Sequence, residues 1–156
     1  QTCALPILPN EPGMAAKVFT LLAEAGVNVD MIVQASASTG TADISFTVPG
    51  SAAAKARDVL QEKQDELGYQ SFDIDANVGK VAVVGVGMKT HSGLAAKFFN
   101  ALSDEGVNVL MISTSEIRIA ALVPLEQLQD AVRALHTAYG LDAEQVEAVV
   151  YGGTGR

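Results

Sequence analysis

The chain has 156 residues, 49% hydrophobic and 18% charged, and a formal net charge of −8. That apolar content suits a packed core and excludes disorder, while the acidic balance repels phosphate backbones and argues against nucleic acid as a partner. The single cysteine, Cys3, excludes an intrachain disulfide and any CxxC metal or redox site. It reads as an inert apolar residue, and this cysteine usage fits the cytoplasm. No apolar run approaches the ~20 residues of a membrane helix. The opening QTCALPILPN lacks the basic region of a signal peptide, and without an initiator methionine the chain reads as a fragment or a processed piece.

In chain order, an opening strand fits residues 3–8, although it holds Pro6 and runs into Pro9, and proline is tolerated mainly at a sheet edge. A helix follows. Pro12 stands near its start, Ala15, Val18, Phe19 and Leu22 share one face at i, i+3, i+4 and i+7, and Gly26 sits at the expected C-cap. Val27, Val29, Met31 and Val33 alternate with Asn28, Asp30, Ile32 and Gln34 as in a half-buried strand, and Thr39-Gly40-Thr41 turns the chain into a strand over 43–48. Ala56, Val59, Leu60, Lys63 and Leu67 mark a second helix, and FDIDA (72–76) a closing strand.

The same order then recurs. KVAVVGV (80–86) is a strand, and Ala95, Phe98, Phe99 and Leu102 mark a helix face that ends at Gly106. MIST (111–114) and EIRIAALV (116–123) are strands, Leu128, Ala131, Val132, Leu135 and Tyr139 a helix, and EAVVY (147–151) the last strand. Residues 13–32 and 93–112 align at a constant offset of 80 with 12 identities in 20 positions and no gap. Such self-similarity means two copies of one structural unit. Each copy reads β-α-β-β-α-β, which predicts an α+β chain of two ferredoxin-like domains, residues 1–78 and 79–156, whose terminal strands can be exchanged between the two.

This arrangement hosts many functions, so side chains must decide. His91 and His136 have no metal-ligand spacing and read as solvated or capping residues. Asp73 and Asp75 share a strand face and read as solvated. GVGMKTHSG (85–93) lacks the phosphate-loop pattern GxxxxGK[ST]. The loop LPNEPG (8–13) has no arginine of the acylphosphatase kind, the chain is only 5% aromatic where RNA-recognition sheets expose aromatics, and the cysteine pair of copper-binding relatives is missing. There remains the loop before each first helix, which ends in Gly13 or Gly93. A glycine at a helix N-terminus lets free N–H groups approach an anion such as a carboxylate. Asn10 and Gln34 add neutral amides, and Asn28 and Asn108 open the next strand where a partner domain can contribute. The same glycines and asparagines also fit plain turn and capping roles.

NEPGMAAKVF (10–19), GVNVDMIVQ (26–34), GKVAVVGVGMKTHSG (79–93), EGVNVLMISTSEIRI (105–119) and AVVYGGTGR (148–156) closely resemble the C-terminal half of bacterial aspartate kinases, which is built of two ACT domains. STSEIRI is the most specific run, and the resemblance extends from about Leu8 to the end. It implies a regulatory part, either tail or separate subunit, without the kinase's nucleotide-binding motifs and therefore without catalysis of its own. No cofactor or metal is expected. The implied partners are threonine and/or lysine as feedback effector, a second copy forming a homodimer through the ACT domains, and the catalytic domain or subunit. The resemblance implies a threonine-type pocket from Asn10, Gly13, Ala15 and Gln34 of one copy with Asn108 and Val109 of the other. It implies a pseudo-equivalent pocket from Gly93 and Ala95 with Asn28 and Val29, plus Ser113, Thr114 and Glu116. Three positions depart from the family pattern: Asn10 stands where many relatives have Asp, ALPIL (4–8) replaces a glycine-containing strand, and Ala120 replaces a usual serine. An ACT-type sensor or dimerisation module of another amino-acid biosynthetic enzyme is the alternative, and STSEIRI argues against it.

Overall fold

The computed structural model describes residues 1–85 and 93–140, together with the backbone of 148–153. The chain divides into two units, Gln1–Ala76 and Asn77–Thr154. In the first, β1 (Thr2–Pro9) leads to α1 (Met14–Glu24), β2 (Ile32–Ser36), β3 (Thr41–Val48), α2 (Ala53–Glu62), the single turn α3 (Gln64–Leu67) and β4 (Ser71–Asp75). In the second, β5 (Val78–Gly85) leads to α4 (Leu94–Asp104), β6 (Met111–Thr114), β7 (Arg118–Pro124), α5 (Leu128–Ala138) and β8 (Ala148–Gly153). A 3₁₀ turn precedes α2 and another α5, Gly50–Ala52 and Leu125–Gln127. All strand pairs are antiparallel, in the orders β2-β3-β1-β4 and β6-β7-β5-β8, the ferredoxin-like arrangement twice over. Each sheet draws its four strands from its own half of the chain. Among the described residues no helix is long and apolar enough to cross a membrane.

The prolines of β1 do not put it at an edge: β1 lies between β3 and β4. Its pairing with β4 is unbroken, whereas the ladder to β3 skips Leu5 and Pro6. The Ile7 carbonyl accepts from Gln70 N–H (2.8 Å) on the β4 side, so by alternation the Pro6 nitrogen faces β3. One missing donor therefore costs one rung opposite Ile44. Val83 takes the corresponding place in β5, and there every residue from Val78 to Val84 pairs with β7.

Each unit packs its helices on one sheet face. Ala4, Leu8, Ile44, Phe46 and Val48 meet Val18, Leu22 and Leu60 in the first core. Val81, Val83, Ala121 and Val123 meet Phe98, Leu102, Ala131 and Leu135 in the second. Fully burying one such side chain contributes about 1.5–3 kcal/mol. The two cores conserve volume by exchange. Ile32 pairs with Phe46 and Ile112 with Ala121, so Phe46 and Ala121 correspond, as do Val18 and Phe98. At these matched positions the first half places a phenylalanine on the sheet and the second on the helix, and both rings are fully buried. Compensated swaps of this kind are what close-packed cores tolerate best.

Both first helices end alike. Gly26 and Gly106 lie at φ 70° and 68°. Gly26 N–H donates to Ala23 (2.9 Å) and Val27 N–H to Leu22 (2.9 Å), with Gly106–Ser103 and Val107–Leu102 repeating the pair at 2.9 Å each. This double bond is the Schellman motif, for which glycine carries no Cβ penalty.

The strand expected from Val27 forms its ladder only from Ile32 onward, although Val27 and Met31 are buried as the alternation requires. Asp30 and Met31 both face Thr47, as in a β-bulge. Asp30 N–H donates to the Thr47 carbonyl (2.9 Å) and Thr47 N–H to the Met31 carbonyl (3.0 Å). Met31 N–H, displaced from the ladder, donates to the buried Thr47 hydroxyl (3.1 Å). The second helix of this half is likewise interrupted at Lys63 (φ −100°, ψ 15°), and the turn of α3 returns Leu67 to the core.

Gly79 on β5 lies under Leu128, whose Cδ2 would be 2.8 Å from a Cβ at that position. We expect Gly79→Ala to lower stability by about 1–3 kcal/mol through overpacking, seen as an earlier urea midpoint. Gly50→Ala, with open space around its Cβ position, is the control that leaves the midpoint nearly unchanged.

Candidate functional site

The loop from β1 to α1 is tied down by its backbone. Asn10 N–H donates to the Gly40 carbonyl (2.9 Å), Glu11 N–H to Pro9 (3.0 Å) and Met14 N–H to Glu11 (3.3 Å). Gly13 enters the helix at φ 87°, and nothing lies within 4 Å of where its Cβ would be. Glycine is thus required there by backbone conformation rather than by space. It leaves α1 with no side-chain cap and no acidic residue in the first turn. The first N–H groups of a helix have no partner within it. Among the described residues no backbone carbonyl or capping side chain takes those of Ala15 and Ala16.

A cleft of about 550 Å³ opens at this helix head, a size typical of small-molecule sites. Asn10, Gly13 and Ala15 line it, and Gln34 closes it from the edge strand β2. These are the four residues expected from the first half. Periodicity had not singled out Ala42 and Ile44 of β3, which also line it, nor Glu11 in the loop. Strand register accounts for the first two, since Leu8 pairs with Ala42 and Gln34 with Ile44.

In the second half Gly93 (φ 91°) starts α4 in the same uncapped way, with Ala95 in its first turn. The Tyr139 hydroxyl donates to the Leu94 carbonyl (2.7 Å), and the Lys97 ammonium lies 5.0 Å from the centre of the Tyr139 ring. Thr114 on the edge strand β6 pairs with Ile119 and stands where Gln34 stands in the first half. Ser113 is half-buried beside it, and Glu116 is exposed in the bend that follows. Residues 86–92, with His91 and most of the glycine-containing run, lie outside the described residues. Asn28 and Asn108 are exposed and Val29 and Val109 half-buried in the segments after α1 and α4. Asn28 and Val29 do not line the first-half cleft. Sequence reasoning also missed Gln127, whose side chain bonds the backbone on both sides of this second turn.

Asp73 and Asp75 are exposed on the edge strand β4. Among the described residues no group of three or more His, Cys, Asp or Glu is placed to hold a metal ion. Cys3 is buried, and its thiol is pushed up to about 11 by that burial, with the carboxylate of Asp75 adding to the shift.

Comparison with known proteins bears on this site. The ACT-domain family model matches residues 8–64 and again 81–139. The regulatory subunit of aspartate kinase from Thermus thermophilus, in a ligand-free crystal form, is 38% identical with a TM-score of 0.81, covering 88% of this chain and 91% of that one. The chain belongs to the ACT-domain family of aspartate kinase regulatory regions. A chain in a crystal structure of aspartokinase alpha and beta subunits is 40% identical with a TM-score of 0.81, covering 89% of this chain and 93% of that one. The aspartokinase of Corynebacterium glutamicum is 47% identical over 151 residues, which are 96% of this chain and 36% of the relative. The regulatory region in hand therefore spans about a third of the length of the curated aspartokinases it matches.

Within this regulatory region Cys3 should behave as a protonated thiol across the neutral range. A raised pKa withholds the thiolate until the pH nears 11, and the thiolate is the nucleophile. Iodoacetamide at pH 8 should leave Cys3 of the folded chain unmodified by mass spectrometry and modify it promptly in urea.

Proposed function

We propose that this regulatory region senses threonine and/or lysine and inhibits the catalytic part of an aspartate kinase when the amino acid is bound. The observation that carries the reading is the uncapped head of α1 opening into a cleft that the amides of Asn10 and Gln34 line together with Glu11 of the loop. An amino acid presents one carboxylate and one ammonium. The carboxylate suits the unfilled N–H groups of Ala15 and Ala16 and the positive end of the helix dipole. The ammonium suits the amide oxygens of Asn10 and Gln34. The small side chain of Ala15 leaves the cleft open.

In this proposal residues 1–78 and 79–156 act as two ACT domains that pair with those of a second chain. Asn108 and Val109 of the neighbouring chain complete the site built on Asn10, Gly13, Ala15 and Gln34. Asn28 and Val29 complete a pseudo-equivalent site on Gly93 and Ala95, with Ser113, Thr114 and Glu116. A ligand touching two chains stabilises only the arrangement in which both reach it. If that arrangement holds the kinase inactive, inhibition follows with a coupling of about 1–3 kcal/mol.

The test is a titration of the chain with threonine, lysine and the other protein amino acids, followed by melting temperature and calorimetry. Threonine or lysine at about a hundred times its Kd should stabilise the fold by about 2.7 kcal/mol. Ala15→Leu should abolish that gain, measured against the variant's own unliganded melting temperature, because the larger side chain fills the cleft that Ala15 lines. Asn10→Asp should tighten binding by restoring a charged partner for the ammonium. A chain that ignores every amino acid is a dimerisation module, and the sensing proposal fails.

A further inference from the structure

The turn after the first helix differs between the two halves in one respect. In the second half Gln127, the last residue of the 3₁₀ turn before α5, reaches across to it. Its Nε2 donates to the Gly106 carbonyl (3.2 Å), and its Oε1 accepts from Asn108 N–H (2.9 Å). Only one orientation of the amide satisfies both partners, so the two bonds also fix the assignment of its oxygen and nitrogen. The pair brackets Val107, which is buried, and leads directly into Asn108 and Val109.

The corresponding position in the first half is Ala52, the last residue of the 3₁₀ turn before α2. The β2–β3 and β6–β7 registers establish the match, since Phe46 and Ala121 correspond and 52 and 127 each lie six residues further on. A methyl group can neither donate nor accept. Among the described residues Asn28 N–H has no counterpart of the Gln127 bond. The neighbour nearest to a Cβ on Gly26 is the Lys55 ammonium at 4.0 Å.

We infer that Gln127 is a positioning residue that holds Asn108 and Val109 in place for an effector, and that the first half presents Asn28 and Val29 without such a clamp. The inference rests on the effector reading above and deepens it, because it makes the two pseudo-equivalent sites unequal. The site that takes Asn108 and Val109 meets a turn already ordered. The site that takes Asn28 and Val29 must order its turn on binding. Fixing the backbone of a single residue costs about as much as a tenfold change in affinity. The clamped site is therefore the tighter of the two by about that factor. The clamp also occupies the backbone N–H of Asn108, so an effector meets that residue through its side-chain amide.

The experiment compares the 156-residue chain with Gln127→Met, Gln127→Glu and Ala52→Gln. Amide hydrogen exchange is read at Asn108 and Asn28 by NMR, and L-threonine and L-lysine affinities are read by calorimetry. In Gln127→Met, which keeps the length and loses both bonds, Asn108 exchange should quicken and affinity at the tighter site fall about tenfold. The unliganded melting temperature should hold. Gln127→Glu keeps an acceptor for Asn108 N–H and loses the donor to Gly106, so it should recover part of the loss. Ala52→Gln should slow Asn28 exchange and tighten the weaker site, a gain that a merely structural role would not produce. Unchanged Asn108 exchange in Gln127→Met overturns the clamp. Faster exchange with unchanged affinity overturns the positioning role and leaves the effector reading standing. A wild-type chain that binds neither amino acid overturns the effector reading, and the positioning role falls with it.

Discussion

A helix that begins with a left-handed glycine begins without a cap, and this constraint organises the rest of the molecule. Gly13 and Gly93 turn the chain sharply into α1 and α4 and contribute no side chain to the N–H groups that follow. Unfilled donors at a helix head attract anions, but they select one only if the helix is held still. The sheet and core provide that rigidity. Val18 and Leu22 anchor α1 on β1 and β3, and the Schellman bonds at Gly26 fix its far end. The donors therefore stay at a fixed height above the edge strand that carries Gln34.

Much of this was legible in the sequence. The repeat at offset 80 implied two like units, and periodicity placed six helices and strands in each, so the ferredoxin-like order followed. Asn10, Gly13, Ala15 and Gln34, which the resemblance grouped in one pocket, line one cleft, and their part in holding an effector rests with the proposal. What could not be read was set by cross-strand geometry. Proline rules favour an edge for β1, yet a central strand can lose a single rung when only one of its sides needs the missing N–H. The late start of β2 depends on Thr47, sixteen residues from Met31, whose hydroxyl replaces a ladder partner. The part of Gln127 is equally non-local, since its partners Gly106 and Asn108 precede it by a strand pair.

The two halves show which features of the unit are negotiable. Their cores differ at a central contact, where Val18 with Phe46 on one side answers to Phe98 with Ala121 on the other. Packing needs the volume filled and is indifferent to which layer supplies it. If folding alone had kept the repeat similar, its identities would gather at such buried positions.

They do not. Ala16, Lys17, Asn28 and Ile32 are exposed, and so are Ala96, Lys97, Asn108 and Ile112, their identical counterparts at offset 80. A solvent-facing isoleucine on an edge strand gains nothing for its own unit, and an open edge is a hazard for association unless something covers it. Ile32 and Ile112 are 49% and 46% exposed on β2 and β6, and Gln34, two residues beyond Ile32, lines the cleft at the head of α1. Under the sensing proposal, the edge beside the unfilled donors of α1 is where a partner strand and a small zwitterion would be held together. Leu22, Val27 and Met31 keep their buried counterparts Leu102, Val107 and Met111, so the repeat retained surface and interior alike, and it is the surface share that packing leaves unexplained.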